Sequence, residues 1–290
     1  MDNDITNAPF IDKSEALLPR RDKTTNKTDY GRILIAGGCV GYTGAPTMCA
    51  RAALRAGAGL VYLGVPSSIY DITAVKNDEA MPFPLPSDAD GRLSYSALPV
   101  LAERLNKCAV GVIGPGLGRS NEITALVGEL IKSCRRPLLL DADGLFAVSR
   151  DISVLPDAPC QIVVTPHEGE FVRMGGKLTG NKAADALAFS MEHGCVTVLK
   201  GPETAAAFPD GEVYVSRFGN PGMAVGGSGD VLSGIIGGLM GQLTLKKAVL
   251  AGLYIHGAAG DACARRLGEY SMLPGDIIET MPQVMKELIK

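Results

Sequence analysis

The chain of 290 residues has no tryptophan and only three histidines, and its 28 lysines and arginines are outnumbered by 31 aspartates and glutamates. A formal net charge of −3 leaves no basic stripe to neutralise phosphates, which argues against nucleic-acid binding. No apolar run reaches the roughly 18 residues needed to cross a bilayer. The opening MDNDITNAPFIDKSEALLPRRDKTTNK lacks a basic-then-apolar leader, so a cytoplasmic protein without a membrane partner is expected. Seven cysteines, an odd number without CxxC spacing, read as reduced thiols. Cys39 and Cys49 are expected to be small buried hydrophobes. Linkers, charge runs and fixed-period repeats are missing too, which favours one domain over 1–290, with an irregular extension over 1–30.

What remains is a chain with 46% hydrophobic residues and 36 glycines, enough for a buried core with many tight strand-to-helix turns. Ile33 to Ala36 reads as a buried parallel strand entering Gly37-Gly38. A helix over about Ala45 to Ala56 and a strand over Leu60 to Val65 complete a βαβ unit. The pattern recurs. Val110–Ile113 runs into GPGLG, Leu138–Leu140 into DADG, Ile162–Val164 into TPHEG, and Val196–Leu199 into Lys200-Gly201, with a helix over Asn121 to Ser133. Asp210-Gly211 between two short apolar runs reads as an edge β-hairpin. The remainder, Leu245–Leu267 and Pro274–Ile289, is helical. The expected class is α/β: a three-layer domain with a central, mostly parallel sheet, helices on both faces and the hairpin at one edge. Ligands in such sheets bind beyond the carboxyl ends of the strands, where these loops converge.

The stretch from Phe218 to Gln242, FGNPGMAVGGSGDVLSGIIGGLMGQ, is a glycine-rich loop running into a helix. Apolar residues at Val231, Leu232, Ile235, Ile236, Leu239 and Met240 recur at helical spacing. Four glycines within that helix cost roughly 1 kcal/mol each against alanine, which implies close packing. Gly226, Gly227, Ser228 and Gly229 bring free N–H groups to the positive end of the helix, an anion site. No Gly-Lys-Ser/Thr follows, so this is not a P-loop. Asp230 is either a cap for the helix or a base that takes a proton from a substrate hydroxyl while the amides hold a phosphoryl group.

Other polar residues carry two readings each. His167 is a strand-end histidine satisfied by its own backbone, or a group lining the site. Glu168 and Glu170 suit the start of the next helix, and Glu170 is also placed to hold Mg²⁺ through water. Asp141 and Asp143 are turn residues or metal contacts, Asp141 through water. Lys200 is a solvated lysine or a partner for phosphate. His256 is expected in the core, Asp276 as a cap and His193 at a helix end.

Together these motifs resemble the NAD(P)H-hydrate dehydratases, which have the ribokinase-like fold. The resemblance covers nearly the whole chain from about residue 15. Its carriers are GRILIAGG (31–38), GYTGAPTMCARAALRAGAGL (41–60), GPGLGRS (114–120), LLLDADGL (138–145), VVTPHEGEF (163–171), VLKG (198–201) and GNPGMAVGGSGDVLSGIIGGLMGQ (219–242). It implies a hydro-lyase that repairs hydrated NADH and NADPH. A nucleotide, ADP in preference to ATP, phosphorylates the C6 hydroxyl of the ring, and phosphate elimination restores NAD(P)H, with Mg²⁺ present. By motif, Asp230 is the catalytic base and touches the hydrate, as do Ala45, Gly118 and His167. Lys200, Gly201, Pro202, Glu203, Thr204 and Gly229 border the nucleotide. A homo-oligomer, up to a tetramer, is also implied. The chain departs from the family at Val225, where threonine is usual, and at Pro202 and Glu203. Two competing readings are a ribokinase-like kinase acting on a vitamin-precursor alcohol and a nucleotide-binding regulator without catalysis.

Overall fold

The computed structural model describes residues 8–290, so the first seven residues of the extension expected over 1–30 lie outside the described residues. From residue 8 on, that segment is tied to the body. Asp12 and Glu15 form a capping box around α1 (Lys13–Ala16), and Phe10 and Leu18 pair with Val215 and Ile289. The Asp12 carboxylate caps this single turn, and no other helix or strand forms among the described residues before β1.

The chain continues as β1 (Arg32–Ala36), α2 (Gly44–Arg55), β2 (Leu60–Pro66), α3 (Tyr70–Lys76) and β3 (Met81–Leu85). Next come α4 (Leu98–Asn106), β4 (Val110–Ile113), α5 (Asn121–Ser133), β5 (Leu138–Leu140), α6 (Asp143–Val148) and β6 (Ile162–Val164). Then follow α7 (Glu168–Arg173), α8 (Lys182–His193), β7 (Val196–Leu199), β8 (Thr204–Ala207) and β9 (Val213–Ser216). Three helices close the chain: α9 (Ser228–Met240), α10 (Leu245–Leu267) and α11 (Pro274–Lys286).

Nine strands form one sheet in the order β3-β2-β1-β4-β5-β6-β7-β8-β9. The first seven in that order run parallel; β8 and β9 form the antiparallel hairpin expected at the edge. The chain reverses its direction of progress between β1 and β4, the topological switch point of such sheets. Alternate residues of each strand feed opposite layers. In β1, Leu34 and Ala36 join the core built with α4, α5 and α8, while Ile33 and Ile35 join the layer of α2, α9 and α10. A second apolar layer on that side holds α11 and α1 against α9 and α10.

Close packing accounts for the glycines in α9. A Cβ on Gly234 would lie 2.2 Å from Cys49 O, and one on Gly238 would lie 2.6 Å from Ala53 O, so α2 and α9 touch backbone to backbone. The sequence reading passed over 67–106, where α3, β3 and α4 lie. In β3, Pro82 and Pro84 remove ladder donors on alternate residues, which only an edge strand tolerates.

Candidate active site

Three strand ends and one helix start build a cavity of about 1170 Å³, lined by His167, Lys200 to Thr204, Gly226 to Asp230 and Asp141, among others. β5 delivers Asp141, which is 1% exposed. Its Oδ1 lies 2.8 Å from Lys200 Nζ, and its Oδ2 accepts from Ser233 Oγ at 2.7 Å. Ala142 follows with φ 49°, a left-handed conformation that costs an alanine on the order of 1 kcal/mol. Glu203, at the tip of the hairpin entry, has φ 55°. These are the two non-glycine residues with positive φ among the described residues, and both line the cavity.

β7 delivers Lys200. Burial works against its charge, but the carboxylates of Asp141 and then Glu170, 3.9 Å away, outweigh that and hold the ammonium above the usual lysine range. The segment after it is braced by Lys182, which reaches Pro202 O at 3.0 Å and Glu168 Oε1 at 3.1 Å.

β6 delivers His167, the N-cap of α7. Its Nδ1 accepts from the amides of Gly169 (3.0 Å) and Glu170 (3.3 Å), and Glu170 Oε2 accepts from the His167 amide at 2.9 Å. His167 therefore caps a helix with one ring edge and also lines the cavity. Burial raises the Glu170 carboxyl above its ordinary range, with Lys200 opposing. Glu170 lies behind His167 instead of on the cavity wall.

α9 starts differently. Its N-cap is Gly227, at φ 103°, and no side chain caps it. Among the described residues the amides of Gly226, Gly227, Gly229 and Asp230 donate to nothing. The Asp230 carboxylate has no hydrogen-bond partner among them either, so it is not the cap. Burial first, then the charge of Asp141, pushes it up to about 7, with Lys200 pulling the other way. A half-buried carboxyl poised near neutrality beside open amides and an ammonium can take a proton from an alcohol while an anion is held.

Two expected contacts lie elsewhere. Ala45 and Gly118 do not line this cavity; they sit above β1 and β4, at the switch point. There the Gly118 amide donates to Asp143 Oδ2 at 2.9 Å, and Arg119 Nε reaches Asp143 Oδ1 at 2.9 Å. Asp143 is thus more than a turn residue. No group of three His, Cys, Asp or Glu among the described residues is arranged to hold a metal.

Sequence reasoning missed three contributors. His256, expected only in the core, is buried but lines the cavity, and its Nε2 lies 3.4 Å from Ser228 Oγ. Burial pushes this imidazole down to about 4, so it is neutral. Asp261 on α10 accepts from the Gly219 amide and from Asn220 Nδ2, both at 3.1 Å, which pins the GNPG loop. Ser233, one turn past Asp230, looked like an ordinary helical serine. The Asp261 and Ser233 contacts join residues 41 or more positions apart, beyond any local pattern.

A family model for NAD(P)H-hydrate dehydratases matches residues 33–283. The chain is 46% identical over 277 residues to a bifunctional NAD(P)H-hydrate repair enzyme of Moorella thermoacetica, covering 93% of this chain and 52% of the relative. It thus spans about half the length of the curated relatives it matches. The crystal structure of an ADP/ATP-dependent NAD(P)H-hydrate dehydratase from Bacillus subtilis, co-crystallised with ATP and Mg²⁺, superposes with a TM-score of 0.84 at 28% identity, over 97% of this chain and 99% of that one. A ribokinase-like superfamily protein from Enterococcus faecalis also gives 0.84, at 25% identity, over 97% and 96%. The fold is ribokinase-like, and a match that runs from β1 into α11 and takes in every loop around the cavity means that the chain belongs to the NAD(P)H-hydrate dehydratase family.

Proposed function

We propose that this chain is a nucleotide-dependent NAD(P)H-hydrate dehydratase, a hydro-lyase that repairs hydrated NADH and NADPH. The observation that carries the reading is the untied Asp230 carboxylate beside four open amides at the start of α9. In the first step Asp230 takes the proton of the C6 hydroxyl, and its oxygen attacks the terminal phosphorus of the nucleotide. The bond to the bridging oxygen breaks, and ADP leaves as AMP. The open amides of Gly226, Gly227, Gly229 and Asp230, together with Lys200, offset the charge on the phosphoryl oxygens. In the second step the C6–O bond breaks, phosphate leaves, and loss of the neighbouring proton restores the ring double bond. Hydroxide is a poor leaving group and phosphate a good one, which is why a nucleotide is consumed.

Lys200 to Thr204 and Gly229 border the nucleotide in this reading, and His167 and Asp230 face the hydrate. Ala45 and Gly118 contact its far end across the switch point. Asp141 and Glu170 do not make a protein-built Mg²⁺ cage: both Asp141 oxygens are hydrogen-bonded, to Lys200 and Ser233, and no group of three potential ligands is arranged around a metal among the described residues. The ion enters with the nucleotide, on its phosphates and water. No helix among the described residues is long and apolar enough to cross a membrane, and we place the enzyme in the cytoplasm as a homo-oligomer.

The test is to incubate the protein with hydrated NADH and either ADP or ATP, with Mg²⁺, while following NADH absorbance and released nucleotide. Recovery of NADH with AMP from ADP is expected. A phosphorylated product that accumulates without NADH would instead identify a kinase, and binding without turnover a regulator.

A further inference from the structure

Asp141 takes no direct part in the proposed chemistry, yet it is paired with Lys200, which does. Both Asp141 oxygens are spent, one on Lys200 Nζ at 2.8 Å and one on Ser233 Oγ at 2.7 Å, and the residue is 1% exposed. With both oxygens turned to protein donors, it is poorly placed to take a substrate proton. What it does is hold an ammonium in place. A Cβ on Gly229 would lie 3.4 Å from Lys200 Nζ and 3.9 Å from Asp141 Oδ2, so the ammonium stands directly over the first turn of α9. A lysine on its flexible four-carbon stem would otherwise turn to water. The backbone around Asp141 is held as tightly. A Cβ on Gly114 would lie 1.8 Å from Asp141 O, and the strained Ala142 comes next. Strain kept at a cavity wall points to a position that matters there.

We propose that Asp141, anchored by Ser233, is a positioning residue for the nucleotide: it fixes the Lys200 ammonium over Gly229 so that ammonium and helix amides meet the same phosphate. This rests on the nucleotide reading of the site. Neither Asp141 nor Ser233 touches the ligand; both act through Lys200.

Calorimetry with ADP on wild type, Asp141→Asn, Lys200→Met and the double variant tests it. Each single change is expected to weaken ADP on the order of tenfold, with the double variant no weaker than Lys200→Met alone, because a residue acting only through Lys200 has nothing further to lose. Losses that add in full, or Asp141→Asn binding like wild type while Lys200→Met does not, overturn the proposal and leave the nucleotide site standing. Full affinity in Lys200→Met overturns both. If Asp141→Asn does not fold, Ser233→Ala takes its place in the cycle. Its severalfold loss must vanish in the Lys200→Met background, and a loss that persists there defeats the proposal.

Discussion

Two helices begin at this cavity with the same spacing of residue types. In α7 the first three residues are Glu168, Gly169 and Glu170; in α9 they are Ser228, Gly229 and Asp230. Each has a carboxylate at the third helical position. The residue before the helix separates them. His167 offers α7 a ring nitrogen that takes two first-turn amides, and Glu170 closes the box back onto the His167 amide. Gly227 offers α9 nothing, so its amides and its carboxylate remain open. One start is satisfied by the protein and belongs to stability. The other has first-turn amides without protein partners, which is the arrangement the proposed anion site needs.

Truncating the two carboxylates is the strongest way to break this contrast. Asp230→Ala is expected to lower turnover on the order of 10² to 10⁴, with nucleotide affinity kept within severalfold, in steady-state and binding assays. The matched Glu170→Ala is expected to keep most of the turnover and to cost stability of about 1 kcal/mol through the lost cap. Equal losses of turnover would erase the distinction. Gly229→Val comes next: the nearest atoms are 3.4 Å and 3.9 Å from a Cβ, so the fold survives while the branched side chain occupies the anion's place. Calorimetry should show no nucleotide binding and an unchanged unfolding transition.

The pH dependence sharpens the same comparison. Asp230 at about 7 must be ionised to act as a base, so kcat/KM should rise with pH through about 7. Its native value lies above the unfolded one, so between roughly pH 4 and 7 the native state holds the extra proton, and stability falls as pH rises through that window. Asp230→Asn should therefore melt above wild type at pH 8, by roughly a few degrees, and equal to it near pH 4. The smallest effect is expected for His167→Ala, which removes the acceptor for two amides and should cost about 1 kcal/mol in denaturant titration.

Much of the fold was legible locally. β4, β5, β6 and β7 stand where short apolar runs end in glycine or polar loops, and Asp210-Gly211 placed the edge hairpin. β3 was not legible, because Pro82 and Pro84 look like a loop unless the strand is known to be an edge. In the candidate site, the glycine spacing pointed to the 226–230 loop that the structure places on the cavity wall. Which first-turn carboxylate was free could not be read, since HEGE and GSGD present the same pattern to a reader of the sequence. Nor could Ser233 or His256 be found, because their partners lie 92 and 28 positions away.

The sequence by itself determined the layered α/β architecture, the crevice at the strand ends and the glycine-rich helix start beside it, all of which follow from hydrophobic period and backbone freedom within a few residues. Only the tertiary structure decided the charge state of the site. The burial of Lys200 between Asp141 and Glu170, and the setting of Asp230 near neutrality, depend on distances between side chains from different strand ends and helices, and electrostatic energy follows distance and burial, not order along the chain.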